Sequence, residues 1–286
     1  CREMDKVAAA VVQMDSQEDK GRNLDQAVQY IQEAARRGAN LVVLPEYFNV
    51  LGHKDVTVEM AEDIAGATID TLRDVAREAG IGLLCGSIPE RTGQSHKIRN
   101  TAVFVSDKGK ILATYSKIHL FDIHVPNEVS YLESEYIEPG RSLKTFDWKG
   151  IRFGMAICYD LRFPELFRCL VQQGVQVVLL PAAFTQATGL YHWQPLVRAR
   201  AIENQVFLCA ANQSGKGANW IPTFGHSAII DPWGKTLCEI PEGTGIGIAE
   251  LDMRELARIR TASPILTHIQ PWLLKALGDT ETEEIT

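Results

Sequence analysis

The chain has 286 residues, 45% of which are apolar, and a formal net charge of −7 at pH 7. The negative charge disfavours binding to nucleic acid or to an anionic membrane surface, because either partner would be repelled on average. No apolar run approaches the roughly 20 residues that span a bilayer, and the N-terminus lacks a signal-peptide pattern. The composition therefore predicts a globular cytoplasmic protein with a large hydrophobic core.

The first third of the chain alternates strand and helix patterns. Continuous apolar runs predict buried strands, and apolar residues every three or four positions predict helices packed on one face. The predicted order is strand 7–12, helix 23–37, strand 41–44, helix 68–79 and strand 81–88. Because Pro45 ends the second strand, Glu46 lies just past its carboxyl end.

A hairpin is predicted next. Residues 101–105 and 111–115 are strand-like and flank an Asp-Lys-Gly-Lys turn sequence. The far end of this hairpin delivers Lys117 and His119. The following segment, 121–140, is polar and lacks clear periodicity, as do many segments that line binding sites.

A strand that runs to residue 157 ends at Cys158, before a predicted helix at 164–173. The first N–H groups of a helix lack intrahelical acceptors, so a thiol at such a junction is expected to be stabilised as a thiolate beside donors for an oxyanion. This position predicts covalent catalysis by Cys158. The alternative is a small buried hydrophobe, which is what most free cysteines are. A strand at 175–180 and a helix at 191–205 follow.

The two halves of the chain repeat each other. Residues 41–48 are echoed by 177–184, which share a Leu-Pro pair after the strand, and 101–112 are echoed by 227–237. Each half thus predicts strand, helix, strand, helix, strand and hairpin. Two such halves pack most simply as two sheets face to face with helices outside.

No linker-like stretch separates the two halves. We therefore predict a single domain over residues 4–286. Residues 261–286 form a C-terminal tail that could cross to a partner subunit, so a homodimer or a higher homo-oligomer is expected.

The six cysteines show neither a CxxC pair nor an even spacing, which favours reduced thiols over a disulfide framework. They are Cys1, Cys85, Cys158, Cys169, Cys209 and Cys238. An N-terminal cysteine can serve as nucleophile and base, so an N-terminal-nucleophile hydrolase using Cys1 is one alternative function. Met4 favours a different interpretation, in which residues 1–3 are leader residues.

Three chemically different side chains lie just past the ends of predicted strands: Glu46, Lys117 and Cys158. Because the ends of strands in one sheet cluster in space, these residues are expected to meet. A carboxylate, an ammonium and a thiol supply a general base, an electrophilic charge and a nucleophile, which is the minimum for acyl transfer. The alternatives are a surface carboxylate, a solvated lysine and a buried thiol.

The motifs around these residues resemble those of the nitrilase superfamily of carbon–nitrogen hydrolases. The matching stretches are Leu44-Pro45-Glu46, residues 115–120 and residues 157–165, and the similarity runs from about residue 7 to residue 274. The resemblance implies an α/β fold, a four-layer αββα sandwich of two pseudo-repeated halves. It also implies hydrolysis of linear amides.

The resemblance assigns a role to each matching residue. Glu46 would take the thiol proton, pass it to the leaving amine and later activate water. Lys117 and the backbone N–H of Tyr159 would hold the tetrahedral oxyanion. The family's second glutamate, which orients the lysine, best matches Glu133, with Glu128 as the alternative.

The subfamily is also indicated. A Tyr-Asp pair after the cysteine, in place of the Trp-Glu pair of true nitrilases, favours amide substrates. Phe184, Thr188, His192 and residues 198–205 resemble the branch that holds ω-amidase and deaminated-glutathione amidase. The first three are therefore predicted to bind substrate; for His192, packing in the core on the helix at 191–205 is an equal alternative. The resemblance implies 2-oxoglutaramate or deaminated glutathione as substrate, with an N-carbamoyl amide as an alternative.

Arg162 lies near the opening of the helix after Cys158, where the helix dipole disfavours a cation. One explanation is a pair with Glu165 or another nearby carboxylate. The other, implied by the resemblance, is that the guanidinium receives the substrate's distal carboxylate.

A metal site is not expected. His119, Asp122 and His124 lie in one loop, yet their spacing matches no zinc or iron pattern, and Lys117 would repel a cation. No cofactor is expected either. A non-catalytic binding module that kept the fold is the remaining alternative, against which the complete set of glutamate, lysine and cysteine argues.

Overall fold

Two mixed β-sheets lie at the centre of the structure, a computed structural model that describes residues 5–93, 97–125, 129–216 and 221–272. In chain order the strands are β1 (Lys6–Gln13), β2 (Leu41–Val43), β3 (Gly82–Leu84), β4 (Ile88–Glu90), β5 (Arg99–Val105), β6 (Ile111–Ser116), β7 (Asp122–Val125), β8 (Val129–Leu132), β9 (Thr145–Trp148), β10 (Ile151–Met155), β11 (Val177–Ala182), β12 (Phe207–Asn212), β13 (Ser214–Gly215), β14 (Thr223–Phe224), β15 (Ser227–Ile230), β16 (Thr236–Ile240) and β17 (Gly245–Asp252).

The helices cover both sheets. They are α1 (Lys20–Arg36), α2 (Lys54–Glu59), α3 (Ala67–Ala79), α4 (Pro164–Gln172), α5 (Gln186–Asn204) and α6 (Met253–Ala262). Short 3-10 helices are formed by Glu133–Glu135, Cys158–Arg162 and Ile265–His268. Within the described ranges, every helix is too short or too polar to traverse a lipid bilayer.

The predicted repeat is present in the sheet topology. The first sheet has the order β17-β1-β2-β3-β5-β4, with β6 also paired to β5. The second has the order β16-β15-β12-β11-β10-β9. In each sheet three parallel strands, β1-β2-β3 or β10-β11-β12, are followed by an antiparallel hairpin, β5-β6 or β15-β16.

Strand periodicity explains the layers. In β1 the side chains of Val7 and Val11 belong to the core between the two sheets, whereas Ala10 and Val12 face α1 and α3. On the other sheet, α4 and α5 pack through residues such as Phe167 and Trp193. Both faces of each sheet are therefore buried, and the four-layer αββα sandwich predicted from the sequence is confirmed.

Three local predictions were wrong. Residues 81–88 form two strands rather than one, because the chain bends at Gly86, where φ is +52°. An added Cβ there would lie 2.0 Å from the Pro45 carbonyl oxygen, so the bend requires glycine. Residues 121–140 contain the β7–β8 hairpin. The helix predicted at 191–205 begins five residues earlier, at Gln186. By contrast, the α-helix after Cys158 starts at Pro164 as predicted, and Cys158 itself opens a 3-10 helix.

Candidate active site

The three residues singled out at strand ends meet in one buried cluster. Glu46 follows β2, Lys117 follows β6 directly, and Cys158 follows β10. Lys117 Nζ lies 2.9 Å from Glu46 Oε1 and 2.8 Å from Glu133 Oε2. Glu46, Lys117 and Glu133 are each 2% exposed, and Cys158 is 6% exposed. Such charges are stable in the interior only because they are paired with one another.

The Glu46 carboxylate is held in place by both halves of the repeat. Its Oε2 accepts a hydrogen bond from the Ala183 N–H at 2.8 Å, and Ala183 belongs to the stretch that echoes the Glu46 motif. Its Oε1 accepts from Asn100 Nδ2 at 2.7 Å. Asn100 is fully buried in β5. It was not predicted as a site residue, because it belongs to none of the sequence motifs that indicated the site.

Glu133 is the second carboxylate on Lys117. It opens a 3-10 helix after β8 and also accepts hydrogen bonds from the Phe121 N–H at 2.7 Å and from Tyr47 Oη at 3.3 Å. Asn100 Nδ2 donates to its Oε1 as well, at 3.4 Å, so four donors including Lys117 fix the orientation of Glu133. Glu128 lies outside the described residues.

The backbone of Cys158 is unusual, with φ +46°. A non-glycine residue in this region costs about 1–3 kcal/mol and persists only where the surroundings determine it. The conformation opens the 3-10 helix directly at the thiol. Tyr159 is the second residue of this helix, so its N–H has no acceptor within it.

The charges of the cluster favour a neutral thiol. Burial, and after it the negative charge of Glu46, raise the pKa of Cys158 well above its usual value, and the opposing effect of Lys117 is smaller. Burial alone would lower the pKa of Lys117, but Glu133 and Glu46 outweigh it and raise that pKa well above its usual value. Burial of the thiol and the Glu46 carboxylate thus oppose the resting thiolate that the helix start was expected to favour.

A cavity opens onto this cluster. Its lining combines the charged groups with aromatic and small polar side chains. The lining residues are Glu46, Tyr47, Lys117, Phe121, Tyr131, Glu133, Cys158, Tyr159, Ala183, Phe184, Thr185 and Thr188. Of the four residues predicted to bind substrate, Phe184 and Thr188 line the cavity, whereas Arg162 and His192 are not among its lining residues.

Arg162 packs against that wall. The carbon at the centre of its guanidinium lies 4.9 Å from the Phe184 ring centroid and 5.5 Å from the Tyr159 ring centroid. Its Nη1 donates to His192 Nδ1 at 3.0 Å, so that histidine nitrogen is an acceptor.

Arg162 forms no ion pair with Glu165 or with any other carboxylate among the described residues. Its Nε is buried and has no hydrogen-bond partner in the same described residues. Burial lowers the pKa of this guanidinium. Within the described ranges, the structure therefore gives no support to Arg162 as half of an ion pair.

Two of the three loop residues considered for a metal, His119 and Asp122, have protein partners. His119 Nδ1 lies 2.8 Å from Asp160 Oδ1, and Asp122 accepts a hydrogen bond from the Ser134 N–H. Across the described parts of the chain, no group of three or more His, Cys, Asp or Glu residues is arranged to hold a metal ion. Cys1 lies outside those parts.

Comparisons with known proteins agree with this geometry. The carbon-nitrogen hydrolase family model matches residues 8–261. The mouse omega-amidase NIT2 is 39% identical over 257 residues, which cover 90% of this chain and 92% of that protein. The deaminated glutathione amidase of Synechocystis is 41% identical over 264 residues, which cover 91% of this chain and 97% of that protein.

A solved structure shows the same fold. The NitFhit protein of C. elegans superposes with a TM-score of 0.87 at 34% identity, and the match covers 94% of this chain and 66% of that one. The fold, the buried glutamate, lysine and cysteine, and these similarities lead to one conclusion: the chain belongs to the carbon–nitrogen hydrolase family.

Proposed function

We propose that the chain is an amidase that hydrolyses a small carboxylate-bearing amide through a thioester on Cys158. The observation that carries this proposal is the buried cluster at the base of the cavity, in which a thiol, the carboxylate of Glu46 and the ammonium of Lys117 are in mutual reach. The similar proteins named omega-amidase and deaminated glutathione amidase support it.

Acylation follows from the protonation states of the cluster. As the Cys158 sulfur attacks the amide carbon, the thiol proton moves to Glu46, and the carbonyl oxygen becomes an oxyanion held by Lys117 and the Tyr159 N–H. Collapse of the oxyanion breaks the C–N bond. The proton on Glu46 leaves with the nitrogen as ammonia or an amine, and a thioester remains.

Deacylation uses the same groups. Glu46 accepts a proton from water as its oxygen adds to the thioester carbon, and the second oxyanion occupies the same donors. Its collapse breaks the C–S bond, and the sulfur regains the proton. The carboxylic acid product leaves, and the resting thiol is restored. Glu133 keeps Lys117 charged and oriented throughout.

The substrate class rests on Arg162. This guanidinium touches two rings of the cavity wall yet has no carboxylate partner among the described side chains. A planar guanidinium binds a carboxylate through two parallel hydrogen bonds. We infer that Arg162 receives the distal carboxylate of 2-oxoglutaramate or deaminated glutathione, with Phe184 and Thr188 against the substrate backbone and His192 supporting the guanidinium.

The test is ammonia release from a panel of amides. The panel contains 2-oxoglutaramate, deaminated glutathione, an N-carbamoyl amino acid and a neutral amide, each with wild type, Cys158→Ala and Cys1→Ser. Turnover of the first two substrates that is lost in Cys158→Ala and kept in Cys1→Ser is expected. Preference for the N-carbamoyl substrate, loss in Cys1→Ser, or absence of turnover on all four would contradict the proposal and favour one of the alternatives.

Assembly and location are further proposals. We propose one hydrolase domain over 4–286, with 261–286 as its tail, in a cytoplasmic homodimer or larger homo-oligomer. Several large exposed apolar side chains support an interface between copies: Leu190, Tyr191 and Ile202 on α5, and Trp233 on the turn beside Ile202. The five described cysteines are free, as in a reducing compartment. Sedimentation of wild type and Trp233→Ser tests the interface, and a monomeric wild type would contradict it.

A further inference from the structure

The buried carboxylate of Asp160 accepts hydrogen bonds from a residue next to Cys158 and from residues on both sides of Lys117. Asp160 is fully buried and does not line the cavity. Its Oδ2 accepts hydrogen bonds from the Ile157 N–H at 2.9 Å and from Tyr115 Oη at 2.7 Å. Its Oδ1 accepts from the His119 N–H at 3.0 Å and from His119 Nδ1 at 2.8 Å. A single side chain thus accepts four hydrogen bonds.

The positions of these donors in the chain are informative. Ile157 and Asp160 lie on either side of Cys158, so their hydrogen bond closes the turn that carries the thiol at φ +46°. Tyr115 and His119 lie two residues before and two residues after Lys117. The same carboxylate therefore connects the segment of the nucleophile to the segment of the lysine.

The donors themselves are held firmly. The His119 ring stacks on Phe163 with a centroid separation of 3.6 Å and an interplanar angle of 7°. Tyr115 is 1% exposed, and burial together with the Asp160 carboxylate raises its pKa well above the usual value, so its hydroxyl stays a donor. An ionised carboxylate is an acceptor only, which matches four donors without conflict.

We propose that Asp160 is a positioning residue, with Tyr115 and His119 as its donors, that fixes the Cys158 turn at its working distance from Lys117. The inference rests on the proposed function, in which these two residues act on the same carbonyl group. A displacement of about 1 Å in such a pair can cost about 100-fold in rate. The effect of losing Asp160 should therefore fall on kcat rather than on KM.

The principal variant is Asp160→Asn, which keeps the size of the side chain. An amide has one acceptor oxygen, and its NH₂ group would face donors, so about two of the four hydrogen bonds are lost. We expect kcat per active site to fall by about 10- to 100-fold, with KM changed by less than about threefold. The matched control is Asp107→Asn at the opposite end of β6. That carboxylate accepts from Trp148 Nε1 at 3.2 Å, so its loss should lower stability but leave kcat unchanged.

A second measurement does not depend on turnover. The alkylation rate of Cys158 by iodoacetamide, followed by peptide mass spectrometry, reports whether the turn has loosened, with exposed Cys169 as the internal reference. Asp160→Asn should speed alkylation of Cys158 by about threefold or more relative to Cys169, because local opening exposes the thiol. Should Asp160→Asn fail to fold, Tyr115→Phe and His119→Phe each remove one donor and keep the ring.

The outcomes separate the two proposals. A wild type that is active on amides, together with an Asp160→Asn variant whose kcat per active site and Cys158 alkylation rate both match wild type, would overturn the positioning role alone. If Tyr115→Phe and His119→Phe are used instead, a kcat equal to wild type in both variants would also overturn the positioning role. A wild type that is inactive on every amide while Asp160→Asn speeds Cys158 alkylation would support the positioning role and contradict the proposed reaction.

Discussion

Replacing Arg162 with methionine should impair hydrolysis of a carboxylate-bearing amide selectively. Methionine keeps an unbranched apolar stem against Phe184 and Tyr159 but removes the guanidinium. A hydrogen bond to a charged group contributes about 1.5–3 kcal/mol, which corresponds to roughly 10- to 150-fold in kcat/KM. We expect a loss of this size on 2-oxoglutaramate.

The assay compares two substrates and two variants. Ammonia release is measured with 2-oxoglutaramate and with a neutral amide of equal length, on which Arg162→Met should be close to wild type. Arg168→Met is the control, because it removes an equal charge from the neighbouring helix α4. This control should affect neither substrate, because Arg168 does not line the cavity.

Stability provides an independent check on this variant. Each cation–π contact contributes about 0.5–1 kcal/mol, so Arg162→Met should lower the free energy of unfolding by only about 1–2 kcal/mol. Equal losses of kcat/KM on both substrates would refute the reasoning. A large loss of stability with unchanged selectivity would also refute it, and the substrate carboxylate would then be bound elsewhere.

Three further predictions concern buried ionisable groups. Lys117→Ala should lower kcat far more than it raises KM, and Lys117→Arg should not restore activity, because a planar group cannot replace a compact ammonium; an effect on KM alone would contradict the oxyanion role. Glu133→Gln should lower kcat by up to about 100-fold at similar KM, since the ammonium loses one of two orienting carboxylates; unchanged kcat would contradict this. Burial raises the pKa of the Cys85 and Cys209 thiols. Each buried neutral thiol therefore contributes to the free energy of unfolding below about pH 8.5, and this contribution should fall by about 1.4 kcal/mol for each pH unit above that value. Urea unfolding between about pH 9 and pH 10.5 should give a smaller pH slope for Cys209→Ala, and an unchanged slope would contradict the argument.

Much of the fold could be predicted because its signals are local. Apolar runs ended by proline or glycine located β2 and α3, and Gly80 indeed ends α3 in the left-handed conformation with φ +67°. The repeated Leu-Pro stretch predicted that β2 and β11 are equivalent. The sheet orders confirm this equivalence, because each of these strands is the middle one of three parallel strands.

The site could be predicted only in part, because its electrostatics depend on contacts between distant segments. Strand ends pointed to Glu46, Lys117 and Cys158, yet nothing local indicated that Asn100 and the Ala183 N–H would bind the Glu46 carboxylate. The state of the thiol could not be derived either. It depends on the burial of the thiol itself and on the charge of Glu46 beside it, which only the packed sheets determine.

The most direct test of the account is detection of the acyl-enzyme. Wild type is mixed with the amide that it hydrolyses best, quenched in acid over milliseconds to seconds, digested and examined by mass spectrometry, with hydroxylamine added in a parallel reaction. We predict an acyl adduct on the peptide that contains Cys158, with rates of formation and decay at least as high as kcat. With hydroxylamine present, part of the product should be a hydroxamate. An adduct on any other residue, or turnover with neither adduct nor hydroxamate, would contradict the account.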